Sequence, residues 1–101
     1  GIVVAVDETN NDVWIEDASV AATCIHLAAH DMGLGSCWVQ IRNRMLDYDK
    51  DISSEELVKE ILGIPNNLNV VCIISIGYAD ENRSEHDIEK LDYSKIHKEE
   101  Y

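Results

Sequence analysis

The sequence predicts part of an α/β or α+β domain that ends in an extended charged arm. Apolar residues follow a strand-like pattern, then a helical one, and alternate between the two along the chain. Helix start and stop signals bound two segments. Residues 79–101 are mostly charged, with only scattered apolar side chains. The predicted order is strand, helix, strand, helix, strand and arm, which fits a parallel or a mixed sheet.

Two apolar, β-branched segments are predicted to be strands that are covered on both faces. The first is Gly1 to Val6, and the second is Val70 to Ile76, an uninterrupted run typical of a central strand in a parallel or mixed sheet. Chain termini are usually polar and loosely held. We therefore expect further sequence to precede the apolar segment that begins at Gly1.

A long helix is predicted from Val13 to Met32, with Asn11 or Asp12 as its cap and Gly33 as its stop. Apolar residues nearly encircle its middle: Ile15, Ala18, Val20, Ala22, Cys24, Ile25, Leu27 and Ala29. A helix that is apolar all round has to be buried all round. The rest of the sequence offers one other convincing helix, so we expect the long helix to need a partner subunit, further chain, or both.

The middle of the sequence predicts a short strand, an irregular stretch and a second helix. The strand extends from Ser36 to Ile41, and residues 42–52 are polar and irregular. Ser53 and Glu56 have the spacing of a capping box, in which each side chain accepts the other residue's backbone N–H. Gly63 then supplies the stop signal of that helix.

The composition argues against several classes of partner and compartment. Acidic residues number 20 against 8 Lys and Arg, which gives a net charge of -12. Such a charge repels phosphate backbones and anionic membrane surfaces, so neither nucleic acid nor a membrane is expected as a partner. The three cysteines are an odd number and are set among apolar neighbours. They predict thiols packed in the core of a cytoplasmic protein rather than a disulfide framework.

No catalytic side chain and no metal site is predicted. His26 and His30 share a helix face, but Leu27 stands where a zinc-protease helix has Glu, and no third ligand is evident. Cys37 has no sign of a neighbouring base that would activate it. Trp14 offers a ring on which a planar cofactor or a partner would stack, although core packing is the more frequent use of such a residue.

Cations are scarce in so acidic a sequence. Arg42, Arg44 and Lys90 are therefore the side chains available to hold an anion, if one is bound. The alternative for each is a solvated surface charge of little energetic consequence.

Four segments together resemble the nitroreductase family of flavin-dependent oxidoreductases. They are D-V-W-I-E-D-A-S-V-A-A-T (Asp12 to Thr23), L-A-A-H-D-M-G-L-G-S-C-W-V (Leu27 to Val39), I-L-G-I-P (Ile61 to Pro65) and V-V-C-I-I-S-I-G-Y (Val70 to Tyr78). The G-L-G-S-C-W block is the most specific. The resemblance implies an α+β fold, a three-layer α/β sandwich with a mixed sheet. Residues 1–79 would form the C-terminal half of an FMN-binding domain, and residues 80–101 an extended C-terminal arm.

The resemblance also implies a function for the complete protein. Members of this family are intertwined homodimers that hold FMN at the subunit interface and pass hydride from NAD(P)H through the flavin to a nitroaromatic or quinone-like acceptor. The family's amino-terminal Arg-Arg-Ser type motif, which binds the ribityl chain and phosphate, has no counterpart here. We expect the missing N-terminal half of the domain to carry it and the fragment alone to be inactive. The alternatives are a non-catalytic dimerisation module and a specialised flavin reaction such as dehalogenation.

The family's flavin contacts map onto five positions. By resemblance, Gln40, Ile41, Arg42 and Asn43 approach the isoalloxazine edge through backbone groups, and Lys90 meets the FMN phosphate. Many relatives have Gly at one or both of the positions that Arg42 and Asn43 occupy, so this sequence departs from the commoner pattern there.

Overall fold

The computed structural model describes residues 1–47, 49, 51–81 and 83–100. Within these residues the elements, in chain order, are β1 (Ile2–Asp7), α1 (Trp14–Asp31), β2 (Gly35–Gln40), β3 (Met45–Asp47), β4 (Ile52–Ser53), α2 (Ser54–Leu62) and β5 (Leu68–Gly77). The predicted α+β class is confirmed. The stretch predicted to be irregular contains the β3–β4 pair, because strands of two or three residues are too short to show alternation.

The strand β5 lies at the centre of a three-stranded sheet with the order β1-β5-β2. Its central position was predicted from the apolar run, and Val70, Val71, Cys72 and Ile74 are at most 2% exposed. Both neighbouring strands run antiparallel to β5, whereas the run had equally suggested parallel neighbours. An apolar run reports burial on both faces, and it does not report the direction of the neighbouring strands.

One face of α1 packs on this sheet through small side chains. Ala18, Ala22 and Ala29 are at most 3% exposed, and they allow the helix backbone to approach the sheet closely. Trp14 and Ile25 extend the contact at either side of the buried cluster. The hydrophobic core therefore lies between α1 and the sheet.

The two ends of α1 differ in how well they were predicted. Gly33 has φ +73° and donates its N–H to the His30 carbonyl at 2.9 Å, so the predicted left-handed stop is confirmed. The predicted side-chain cap is wrong, because Val13 occupies the cap position without a side-chain hydrogen bond. Asn11 instead accepts the N–H of Val13 at 3.0 Å, in a turn that precedes the helix.

A second apolar stripe lies on the face of α1 that points away from the sheet. It consists of Val13, Val20, Cys24 and Leu27, and Val20 and Leu27 are 63% and 65% exposed. The apolar residues of α1 thus lie on two faces of the helix, and the described residues cover only the face that packs on the sheet.

The core location predicted for the three cysteines holds for one of them. Cys72 is fully buried, and burial raises the pKa of its thiol. Cys24 and Cys37 are exposed, because Cys24 lies on the second stripe of α1 and Cys37 lies on the face of β2 opposite to α1. Their apolar neighbours in sequence indicated burial that the described residues alone do not provide.

The helix α2 is fixed at both ends and is tied to the sheet. Glu56 donates its N–H to the Ser53 hydroxyl at 3.1 Å, and Ser53 donates its N–H to the Glu56 carboxylate at 3.0 Å, which confirms the capping box. The Ser53 hydroxyl also donates to the Glu56 carboxylate at 2.7 Å, and this bond, followed by the one from the Ser53 N–H, holds the pKa of Glu56 below its usual value. Glu55 accepts the N–H of Val70 at 2.9 Å, so α2 is bonded to β5.

The carboxyl-terminal segment projects from the folded part as an arm. All described residues from Tyr78 to Glu100 are exposed, and the only helical pieces among them are two 3₁₀ turns, Ile88–Lys90 and Tyr93–Lys95. The radius of gyration is 17.4 Å, against about 13 Å for a compact domain of 100 residues. Tyr101, one of the scattered apolar side chains of the arm, lies outside the described residues. Among the described residues, no helix combines the length and apolar character that crossing a membrane requires.

Candidate functional site

The edge strand β2 ends in a bulge that redirects the chain. Ile41 and Arg42 both donate their N–H to the carbonyl of Val71, at 3.2 Å and 3.0 Å. Ile41 and Arg42 thus both lie opposite Val71, which is the pattern of a β-bulge. A bulge bends the strand and changes the direction of the side chains that follow. Ile41 is 6% exposed and anchors the bulge in the interior, while Arg42 leaves the sheet.

The side chain of Gln40 fixes the geometry of this bulge. Its Oε1 accepts the indole N–H of Trp38 at 2.8 Å, and its Nε2 donates to the carbonyl of Arg42 at 2.8 Å. The amide therefore bridges the strand and the turn, and both ends of it are satisfied by the protein. The family resemblance places Gln40 in the site but does not indicate this bridge. The spacing of two between Trp38 and Gln40, which puts them on one strand face, is the signal that indicates it.

Asn43 occupies a position at which the backbone is left-handed. Its φ is +57°, and the turn is closed by a hydrogen bond of 3.1 Å from the N–H of Arg44 to the carbonyl of Ile41. Gly tolerates such a conformation best, and Asn is the commonest side-chain-bearing substitute. Asn43 therefore suits the left-handed turn, at a position where Gly would also be tolerated.

Substitutions at Asn43 test this conformational account. Asn43→Ala is expected to lower the free energy of unfolding of the full-length protein by about 1 kcal/mol, because a Cβ without a compensating polar group is disfavoured at positive φ. Asn43→Gly is expected to stay within about 0.5 kcal/mol of the parent. Urea denaturation followed by circular dichroism measures both. Equal losses for Ala and Gly would show that the Asn43 side chain, and not its backbone, matters.

The guanidinium of Arg42 stands over the ring of Trp14, with Cζ 5.4 Å from the ring centroid. Trp14 begins α1 and packs against the core cluster, so one edge of the residue serves the core while its ring supports Arg42. The core packing considered for Trp14 is therefore present, whereas stacking on a cofactor or a partner stays a prediction. The two residues are 28 positions apart in sequence, and no local pattern indicates their contact.

Lys90 lies on the first 3₁₀ turn of the arm. Its Nζ is 3.0 Å from the Asp87 carboxylate, and its side chain is 83% exposed. The backbone N–H of Lys90 donates to the carbonyl of Asp87. The structure thus brings Gln40, Ile41, Arg42 and Asn43 into one turn, and neither contact of Lys90 joins it to that turn.

The histidine pair considered as a metal site is engaged differently. Nδ1 of His26 lies 2.6 Å from the hydroxyl of Ser36, which links α1 to β2, and His30 is exposed. Within the described ranges, no group of three or more His, Cys, Asp or Glu side chains is arranged to hold a metal ion.

Comparison with solved structures defines the class of this fold. An FMN-dependent nitroreductase from Clostridium difficile R20291 superposes with a TM-score of 0.90 and 48% identity, over 98% of this chain and 56% of that one. The Nitroreductase family model matches residues 2–78. The chain belongs to the nitroreductase family.

Relatives from two archaea agree with this assignment. A protein of Archaeoglobus fulgidus named "Putative NADH dehydrogenase/NAD(P)H nitroreductase" is 31% identical over 89% of this chain. A protein of Methanothermobacter thermautotrophicus with the same name is 31% identical over 87% of it. The chain spans 48% and 41% of the lengths of these two relatives, so it corresponds to about half of each.

Proposed function

We propose that the full-length protein is an FMN-dependent NAD(P)H oxidoreductase that passes hydride from NAD(P)H through the flavin to a nitroaromatic or quinone-like acceptor. Family membership over residues 2–78 supports this proposal. So does the 48% identity to a solved protein described as an FMN-dependent nitroreductase. The geometry of the turn that follows β2 is the observation from this chain itself that carries it.

The turn fits a flavin edge, but the four residues contribute unequally. The N–H of Ile41 bonds to Val71 and its carbonyl accepts from Arg44, and the Gln40 amide is used within the turn. Asn43 is exposed, and its N–H makes no hydrogen bond to any described residue. The edge of an isoalloxazine ring offers carbonyl oxygens and ring nitrogens as acceptors. The N–H of Arg42 is likewise bonded to Val71, so we assign the donating role to Asn43 and a positioning role to Gln40, Ile41 and the backbone of Arg42.

The bound flavin would supply the hydride chemistry, and the protein would supply binding and orientation. Gln40 holds the carbonyl of Arg42 by a hydrogen bond within the turn, and the bulge at Ile41 keeps the turn in one conformation. A turn that is fixed before the ligand arrives loses less entropy on binding. No side-chain acid or base is required of this half of the domain.

We further propose that this chain is the C-terminal half of the domain and that the complete, cytoplasmic protein is a homodimer. The second stripe of α1 and the sheet face that carries Cys37 and Val39 are exposed here. Contiguous apolar surfaces of this kind mark interfaces. The missing N-terminal half and a second subunit would cover them, and the exposed arm would lie on the partner.

Colour and bleaching test the proposed function directly. Full-length protein purified without added flavin is expected to be yellow, because FMN stays bound, and to bleach when NADH or NADPH is added without oxygen. The measurement is the flavin absorbance before and after reductant. A colourless protein that remains empty after FMN is added would favour the non-catalytic dimerisation module instead.

The arm offers a matched pair of lysines for testing the phosphate contact. Lys90→Ala is expected to weaken FMN binding by the full-length protein about tenfold, since a charge-assisted hydrogen bond to phosphate contributes about 1.5–3 kcal/mol. Its present partner Asp87 is exposed, and an exposed pair of this kind is easily exchanged. Equilibrium titration with FMN measures the change.

Lys95→Ala is the control for this substitution. Lys95 is 81% exposed and pairs with Asp92 three residues earlier, as Lys90 does with Asp87. It should leave FMN affinity unchanged. Equal affinities for the parent and the Lys90 variant would reject the assignment of Lys90.

A further inference from the structure

We propose that Arg42, held in place by Trp14, binds the negatively charged group of a substrate and so selects anionic substrates over neutral ones. The inference rests on the proposed function, because it places Arg42 beside the flavin. The chemistry recognised is an oxyanion, either a carboxylate on the acceptor or the 2′-phosphate of NADPH.

The ring of Trp14 supports the guanidinium of Arg42 from one side. A guanidinium is planar, and stacking on a ring uses its π surface. Its five N–H donors point outward in the plane, in a fork that matches two oxygens of a carboxylate or phosphate. With Cζ 5.4 Å from the ring centroid, Arg42 has a supported face. Its donors make no hydrogen bond to protein within the described part of the chain.

The absence of a carboxylate partner for Arg42 is notable because the chain is strongly acidic. The sequence has 20 acidic residues for 8 Lys and Arg, so carboxylates are abundant. Four of the described cations lie within 4 Å of one: Lys59 with Glu55, Arg83 with Glu81, Lys90 with Asp87 and Lys95 with Asp92. Arg42, Arg44 and Lys98 have no carboxylate within that distance among the residues described, and of these three Arg42 is the one that is partly buried and lies over an aromatic ring. A cation kept apart from protein carboxylates in so acidic a chain remains available to an external anion.

The backbone at Arg42 is fixed, which gives the guanidinium a defined direction. Its N–H bonds to Val71 at 3.0 Å and its carbonyl accepts from Gln40 at 2.8 Å. The side chain is partly buried, so water screens its charge less than it screens the exposed lysines of the arm. Trp14 acts as a positioning residue, because it restricts the rotamers of Arg42 without touching the anion itself.

Equilibrium binding to the flavin-loaded, full-length protein tests the proposal without turnover. The probes are benzoate for a carboxylate, 2′-AMP for the donor's phosphate and benzamide as the neutral counterpart of benzoate, each followed by perturbation of the flavin absorbance. Arg42→Gln is expected to weaken binding of benzoate, of 2′-AMP or of both about tenfold, and to leave benzamide unchanged. The anion that loses affinity identifies the source of the recognised group. Arg44→Gln removes the same charge two residues away and should change none of the three constants.

Trp14 variants separate positioning from a merely structural role. Trp14→Phe keeps an aromatic face and should retain most of the preference for benzoate over benzamide, whereas Trp14→Leu should reduce that preference several-fold. Unchanged anion binding in Arg42→Gln, or an equal loss for benzoate and benzamide, would overturn the inference and leave the proposed function intact. A parent protein that binds no FMN would overturn both.

Discussion

Replacing Leu27 by Glu is expected to dissociate the proposed homodimer of the full-length protein. Leu27 is 65% exposed at the carboxyl-terminal end of the second apolar stripe of α1, on the side of the helix away from the alanines that pack on the sheet. If a partner covers this stripe, the substitution buries a carboxylate without a counterion. Such a change commonly costs several kcal/mol, which raises a dimer dissociation constant by about 100-fold or more. Sedimentation velocity across a concentration series measures the change.

Leu27→Met is the matched control, because it keeps an apolar side chain of similar volume at the same place. This variant should remain dimeric and should melt at nearly the parent temperature. A Leu27→Glu protein that is as dimeric as the parent would remove the stripe from the interface. It would also leave the exposed face of α1 without the partner that we propose for it.

Replacing Ile74 by Ala is expected to lower the free energy of unfolding by about 2–5 kcal/mol, the range for large buried aliphatic residues cut to Ala. Ile74 is fully buried and lies opposite Ile2 in β1 and Trp38 in β2. The substitution therefore removes contacts with both neighbouring strands and with α1 at once. Urea denaturation of the full-length protein gives the value.

Ile74→Val provides the graded comparison, with an expected loss of about 0.5–1.5 kcal/mol. A loss near zero for Ile74→Ala would contradict the placement of the core between α1 and the sheet. Similar losses for Ala and Val would locate the stabilising contacts at the terminal Cδ1 methyl, the only carbon that Ile74→Val removes.

Local chemistry made several features of the fold predictable. The capping box at Ser53 and the left-handed stop at Gly33 depend on residues within a few positions of one another, so the sequence contains all of the information. The central place of β5 followed from its unbroken apolar run. The same run did not indicate strand direction, because burial is identical for parallel and antiparallel neighbours.

The site was predictable in position and much less so in detail. The resemblance located Gln40 to Asn43, and the backbone of Asn43 explains its departure from Gly. The support of Arg42 by Trp14 arises because α1 packs against the end of β2. This is a tertiary contact, and no local sequence pattern predicts it. Cys24 and Cys37 were misplaced for a related reason, since apolar neighbours predict burial without saying which chain supplies it.

The strand order has a consequence for how the chain is made. β1 and β2 each pair with β5 and not with each other, and β5 is the last strand of the sheet to be synthesised. Within the described part of the chain, β1 and β2 have no other ladder to join until residues 68–77 leave the ribosome. The pairing of β1 with β5 also closes a loop of some sixty residues, an entropic cost that slows folding in proteins rich in non-local contacts. Nascent chains that stop before Leu68 should therefore lack the sheet and depend on chaperones to stay unaggregated.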